Sequence, residues 1–218
     1  NNSEIQISSV MMNSNNGEIL GILGGRDYSK SEFNRVTSSK RQVGSTMKPF
    51  LYYTALENGF TSSTTFTSEK TVFTFAHDKT YSPENYGNLY ADKNISLAAA
   101  IAYSDNIYAV KTHLFLGEET LVEFASRLGI SSSLEAVPSL ALGTNEINIL
   151  DMMKGYGAFA SMGKKITPHF IRKVLDINGN VLYEYNDSNE VILNKSTVYI
   201  LNELLTSCYN KNFVDYTY

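Results

Sequence analysis

The apolar positions begin with period two. In "EIQISSVMM" the residues Ile5, Ile7 and Met11 share one parity, and "EILGILGG" follows as a short, nearly continuous apolar run. Between them "NSNNGE" carries Asn16-Gly17, a pair suited to the left-handed backbone of a tight hairpin turn. The pattern predicts strand, turn and strand, ending at Gly24-Gly25. The period then lengthens. Met47, Phe50, Leu51, Thr54 and Ala55 recur with helical spacing, which predicts a helix stopping near Gly59. Ser45 and Lys48 project away from that stripe, toward either solvent or a cleft.

Residues 60 to 95 are rich in Thr, Ser and Tyr with little periodicity, and read as a long irregular connection. Helical segments come next: "SLAAAIAY", "NIYAVKTHLFLG" and "EETLVEFASRLG", the last closed by Gly129. "NEINILDMMKGYGAFASMG" is apolar on most sides and reads as a buried helix. "FIRKVLDINGNVLYEY" predicts a second hairpin, turning at Asn178-Gly179. Strands, a mainly helical middle and strands again predict an α+β fold with a helical subdomain inserted between sheet segments.

Composition narrows the function classes. The 218 residues suffice for one sizeable domain, and 43% apolar with 18% charged residues is ordinary for a globular protein. A net charge of −4 and no run of Lys or Arg argue against a nucleic-acid partner or an electrostatic membrane patch. Cys208 is the only cysteine, so there is no internal disulfide and no zinc-type cluster. His77, His113 and His169 lie far apart without metal-ligand spacing, and each is expected to be structural or exposed.

The candidate chemistry lies in "RQVGSTMKPF", Arg41 to Phe50. A serine hydroxyl needs a base within hydrogen-bond reach, and a Lys three residues along a helix can supply one. Desolvation would lower the lysine pKa enough for it to accept the serine proton. Pro49 favours a helix start, which puts Ser45 in or beside the first turn, where unpaired N–H groups suit a developing oxyanion. Gly44 permits close approach of the chain. The competing reading is a polar residue opening an ordinary helix. A second S-x-x-K occurs at Ser161 in "SMGK", where Gly163 ends a helix and the pair shares no helical face.

"YSDN" then supplies Ser104, Asp105 and Asn106 between two helical segments. S-x-x-K with S-D-N is a recognised catalytic pairing rather than a derived one. With "GGRDYSKSEFNR", "SPENY", "YSDNIYAVK", "LALGTNEI", "AFASMGKKITPHFI" and "INGNVLYE" in the same order, the chain resembles the transpeptidase domain of a penicillin-binding protein of class A type. The resemblance implies a transpeptidase-like fold: an antiparallel sheet flanked by helices, with an all-helical subdomain inserted over about residues 60–165.

It also implies roles for four residues, and no metal or organic cofactor. Ser45 would be the acylated nucleophile, Lys48 its base, Ser104 a proton relay and Asn106 a substrate-binding residue. The partners would be peptidoglycan stem peptides, a D-Ala-D-Ala donor and an amine acceptor, with β-lactam antibiotics acylating the same serine. The location would be the extracytoplasmic face of a bacterial membrane, with the anchor outside this chain. A penicillin-recognising sensor and a catalytically silent scaffold are the alternative functions for the same fold.

Two departures stand out. Val43 occupies a position where the family often has Pro. No K-T-G or K-S-G occurs in the 218 residues, although in the family that motif lies on a sheet strand and binds the donor carboxylate. The chain is therefore expected to be the first two-thirds of one transpeptidase domain. The remaining strands would come from a C-terminal segment, without which the piece is expected to be poorly stable. "EVILN", Glu190 to Asn194, matches a β-lactamase deacylating motif by chance, being too far beyond Ser104.

Overall fold

The computed structural model describes residues 5–187 and 189–209. In chain order the first elements are β1 (Ser9–Met12), β2 (Ile19–Leu23), α1 (Arg35–Ser38), β3 (Lys40–Gln42), α2 (Lys48–Glu57) and β4 (Thr65–Ser68). Next come β5 (Phe73–Thr74), β6 (Thr80–Tyr81), β7 (Lys93–Ser96), α3 (Leu97–Tyr103), α4 (Asn106–Leu116) and α5 (Glu118–Arg127). The chain continues through β8 (Glu146–Asn148), α6 (Ile149–Ala160), β9 (Lys173–Leu175), β10 (Val181–Glu184) and α7 (Lys195–Leu205). The fold is α+β, arranged as two compact units.

The first unit comprises residues 1–41, 126–132 and 146–195. Its β1 and β2 pair antiparallel, with Val10 opposite Ile22. Gly17 adopts φ +81° in their turn, and a Cβ there would stand 2.3 Å from the Thr167 carbonyl oxygen, so only glycine fits. The second predicted hairpin is also present, β9 against β10, with Asp176 Oδ1 accepting the Asn178 and Asn180 N–H groups at the turn. Asn148 caps α6 by accepting the Leu150 N–H. One turn into that helix, Asp151 receives the Ser131 and Ser132 N–H groups and the Lys154 ammonium. Of the apolar parity predicted for the first strand only Met11 falls within β1, and Ile5, Ile7 and Met11 are each about 60% accessible.

The second unit comprises residues 42–125, 133–145 and 196–218. Its centre is α2, where every residue from Lys48 to Ala55 is buried, so the predicted stripe is in fact a helix enclosed on all sides. Aromatic rings do much of the enclosing. Tyr53 stacks on Phe124 with centroids 4.9 Å apart, and Phe66 meets Tyr108 edge-on at 5.2 Å. Such pairs contribute about 1 kcal/mol each beyond the area they bury. Gly59, at φ +89° after the Asn58 cap, stops α2 where the sequence predicts.

Two expectations need correction. Residues 60 to 95 are not wholly irregular: β4 pairs with β7 and β5 with β6, both antiparallel. These strands are two to four residues long, too short to show a period, and their pairing is a tertiary matter. The chain also does not return only to strands, because α7 follows the second hairpin and buries Val198 and Leu201. Among the described residues no helix is long and apolar enough to cross a membrane.

Candidate active site

Ser45, Lys48, Ser104 and Asn106 all lie in the second unit. Gly44–Met47 forms a tight helical turn that runs directly into α2, and Ser45 sits in it, exposed. Two glycines shape the entry. Gly44 takes φ +59° and its N–H donates to the Gly143 carbonyl at 3.1 Å. A Cβ on Gly143 would lie 2.1 Å from the Gly44 oxygen, so this crossing of two backbones requires glycine at 143. The sequence expectation credited Gly44 with permitting close approach; a Cβ on Gly44 meets nothing, and its need is for the positive φ alone.

Lys48 opens α2 ahead of Pro49 and is only 3% exposed. Its ammonium donates to the Ser104 carbonyl at 2.6 Å, to Ser104 Oγ at 3.0 Å and to Asn106 Oδ1 at 2.6 Å. All three donors of a charged lysine are thereby directed at the S-D-N turn. Burial pushes the Lys48 pKa down to about 8, partly offset by the negative charge of Asp105. A neutral amine keeps a lone pair that can accept a proton, and that form is populated near neutral pH only because the site is desolvated.

The S-D-N turn is itself tightly held. Ser104 caps α3 in the left-handed region, φ +55° and ψ +45°, a conformation that costs a non-glycine residue about 1 kcal/mol or more. Asp105 is 1% exposed and caps α4 by accepting the Tyr108 N–H at 2.7 Å. Its other oxygen accepts from Ser68 Oγ and from Asn85 Nδ2. Asn106 donates its N–H to Asn85 Oδ1 at 2.8 Å and its side-chain amide to the Glu84 carbonyl at 2.7 Å. Ser68, Asn85 and Gly143 escaped the sequence reading as site residues. "SPENY" and "LALGTNEI" were legible only as part of a resemblance, and nothing local marks Ser68.

The other candidates fall elsewhere. Ser161 Oγ donates to the Ala158 and Lys164 carbonyls, and Lys164 Nζ to Asn189, so the two side chains do not bond each other; neither do those of Ser45 and Lys48, whose ammonium is turned to Ser104 and Asn106. His113 is fully buried with Nε2 on the Val137 carbonyl, His77 is exposed, and His169 stacks on Tyr185. Glu190 of "EVILN" pairs with Lys165 at 3.1 Å.

Comparison with known proteins gives the family. The family model of the penicillin-binding protein transpeptidase domain matches residues 7–213, and the chain belongs to that family. It is 45% identical over 216 residues to penicillin-binding protein 2D of Bacillus subtilis, covering 99% of this chain and 31% of that protein. It is 36% identical to penicillin-binding protein 1A of Aquifex aeolicus, covering 88% of this chain and 26% of that one. The crystal structure of penicillin-binding protein 1A from Haemophilus influenzae superposes with a TM-score of 0.84 at 28% identity, over 94% of this chain and 36% of that one. The chain thus spans about a third or less of the curated relatives it matches.

Proposed function

We propose that this chain carries the acylating half of a D,D-transpeptidase site that cross-links peptidoglycan stem peptides. The observation that carries the reading is Lys48: buried, depressed in pKa, one helical turn from an exposed serine and bonded to both Ser104 and Asn106. In this mechanism the neutral Lys48 amine takes the Ser45 proton as Ser45 Oγ attacks the penultimate D-Ala carbonyl of the donor stem. The Ser45 N–H, in the first turn of its helix, faces the developing oxyanion. Collapse of the tetrahedral intermediate breaks the peptide bond. The proton on Lys48 passes through the Ser104 hydroxyl to the departing D-Ala amine. An acceptor amine then attacks the Ser45 ester, gives up a proton along the same path, and restores the serine as the cross-link forms.

Asn106 orients the Lys48 ammonium through Oδ1 and borders the place where a donor backbone would lie. A β-lactam enters as a donor whose leaving nitrogen stays tethered after ring opening, so the acyl-enzyme persists. The donor-carboxylate site and the second oxyanion donor fall to polypeptide outside these 218 residues, since no K-T-G or K-S-G occurs among them. The setting that follows is the extracytoplasmic face of a bacterial membrane, reached through an anchor outside this chain.

The test is intact mass of the full-length gene product after incubation with a penicillin, followed by peptide mapping. One adduct on the peptide containing Ser45, with transfer to an added amine acceptor, is the expected result. An adduct without transfer would move the reading to a penicillin-recognising sensor. No adduct on folded protein would leave a silent scaffold.

A further inference from the structure

We propose that Asn85 is a positioning residue for this reaction: its Oδ1 receives the Asn106 N–H and so fixes the Asn106 side chain against the Lys48 ammonium. The proposal rests on the reading of Ser45 and Lys48 given above.

Asn85 is 7% exposed and lies just after Pro83-Glu84, outside any helix or strand. Its oxygen accepts from the Asn106 N–H at 2.8 Å and from the Ile107 N–H at 3.4 Å, the first two N–H groups of α4. Its amide nitrogen donates to Asp105 Oδ2 at 2.8 Å and to Ser68 Oγ at 3.3 Å. Only one orientation of the amide serves both sides, because a flip would set N–H against N–H and oxygen against carboxylate. The preceding residue adds a second hold, since the Glu84 carbonyl takes the Asn106 side-chain N–H at 2.7 Å. Asn106 is thus gripped at backbone and side chain by two consecutive residues, which leaves its Oδ1 aimed at Lys48 at 2.6 Å.

Satisfying Asp105 is a different job, and Ser68 separates the two. Ser68 bonds the same carboxylate oxygen as Asn85 but has no bond to Asn106. A residue needed only to satisfy a buried carboxylate would behave like Ser68. A residue that positions the lysine would not.

The experiment measures acylation of the full-length gene product by a fluorescent penicillin across a pH series, with melting temperature in parallel, for Asn85→Ala, Asn106→Ala, the two combined, and Ser68→Ala. Releasing Asn106 admits water to Lys48, whose burial is the main cause of its lowered pKa. Asn85→Ala is therefore expected to slow acylation at neutral pH about 10- to 100-fold and to move the alkaline midpoint upward. Ser68→Ala is expected to melt earlier with the midpoint unmoved. In an Asn106→Ala background, adding Asn85→Ala is expected to slow acylation by less than about threefold more, because its effect runs through Asn106.

Wild-type rate and midpoint in Asn85→Ala would overturn the proposal while leaving Ser45 and Lys48 as read. So would a further loss of about tenfold or more when Asn85→Ala is added to Asn106→Ala, and the same two comparisons made with Asn85→Ser decide should Asn85→Ala not fold. Absence of a Ser45 adduct in the wild type would remove the underlying reading, and the proposal with it.

Discussion

The chain contains the same four-residue pattern twice, in two different surroundings. At Ser45 it opens a helix enclosed by aromatic rings, and Lys48 is folded inward onto Ser104 and Asn106. At Ser161 it follows the end of α6, with its hydroxyl spent on backbone carbonyls and Lys164 reaching Asn189. Both serines are three residues from a lysine. Lys48 is buried and Lys164 only half-buried, and full burial is what lowers an amine toward a base near neutral pH. The pattern names candidates; the dielectric around the lysine chooses between them.

The largest way to break this contrast is to remove the chemical groups. Ser45→Ala is expected to abolish the penicillin adduct, and Lys48→Ala to slow acylation about 10²- to 10⁴-fold, read by fluorescent penicillin labelling. Ser161→Ala and Lys164→Ala are expected to label at wild-type rates, with stability changed by no more than about 0.5 kcal/mol. Equal losses at the two sites would erase the distinction.

Glycine substitutions sharpen it. Gly143→Ala would drive a Cβ into the Gly44 backbone at φ +69°, and Gly163→Ala one to 2.6 Å from the Leu193 oxygen at φ +100°. Each is expected to cost about 2–4 kcal/mol, seen as a lower midpoint in urea. Under native conditions only Gly143→Ala is expected to slow acylation per folded molecule, because only it displaces the turn that bears Ser45.

The pH dependence is a finer test. Acylation is expected to rise about tenfold per pH unit up to a plateau above about 8, as Lys48 loses its proton. The same shift acts on stability. Between about 8 and the ordinary 10.5 the unfolded chain binds the proton that the folded chain has released. The penalty for burying Lys48 is thus in full force below about 8 and fades as pH rises through that window. A Lys48→Met variant is expected to flatten the alkaline rise in melting temperature.

The smallest effect lies at His113. The Val137 carbonyl can only accept, so His113 carries its proton on Nε2, leaving Nδ1 buried without a partner. Burial holds its pKa below the ordinary 6.5, with the Val137 bond opposing weakly. Stability is therefore expected to fall as pH drops below 6.5 toward that lowered value, because the unfolded chain takes up the proton first. His113→Gln is expected to reduce this acid sensitivity in thermal melts.

Much of this protein was legible along the chain. Asn16-Gly17 and Asn178-Gly179 marked both hairpins because they bring turn backbone with them, and Gly59 and Gly129 marked helix ends for the same reason. Ser45, Lys48, Ser104 and Asn106 could be named as candidates because S-x-x-K and S-D-N together, with the stretches around them, resemble a known family.

Only the tertiary structure decided the rest. It paired β4 with β7 across the stretch of chain from Ser68 to Lys93, closed α2 on every side, and brought Asn85 and Ser68 onto the S-D-N turn. It also determined which lysine is dry. Spacing is local and is written in the sequence, whereas burial, and the pKa that follows from it, depends on what other parts of the chain pack alongside.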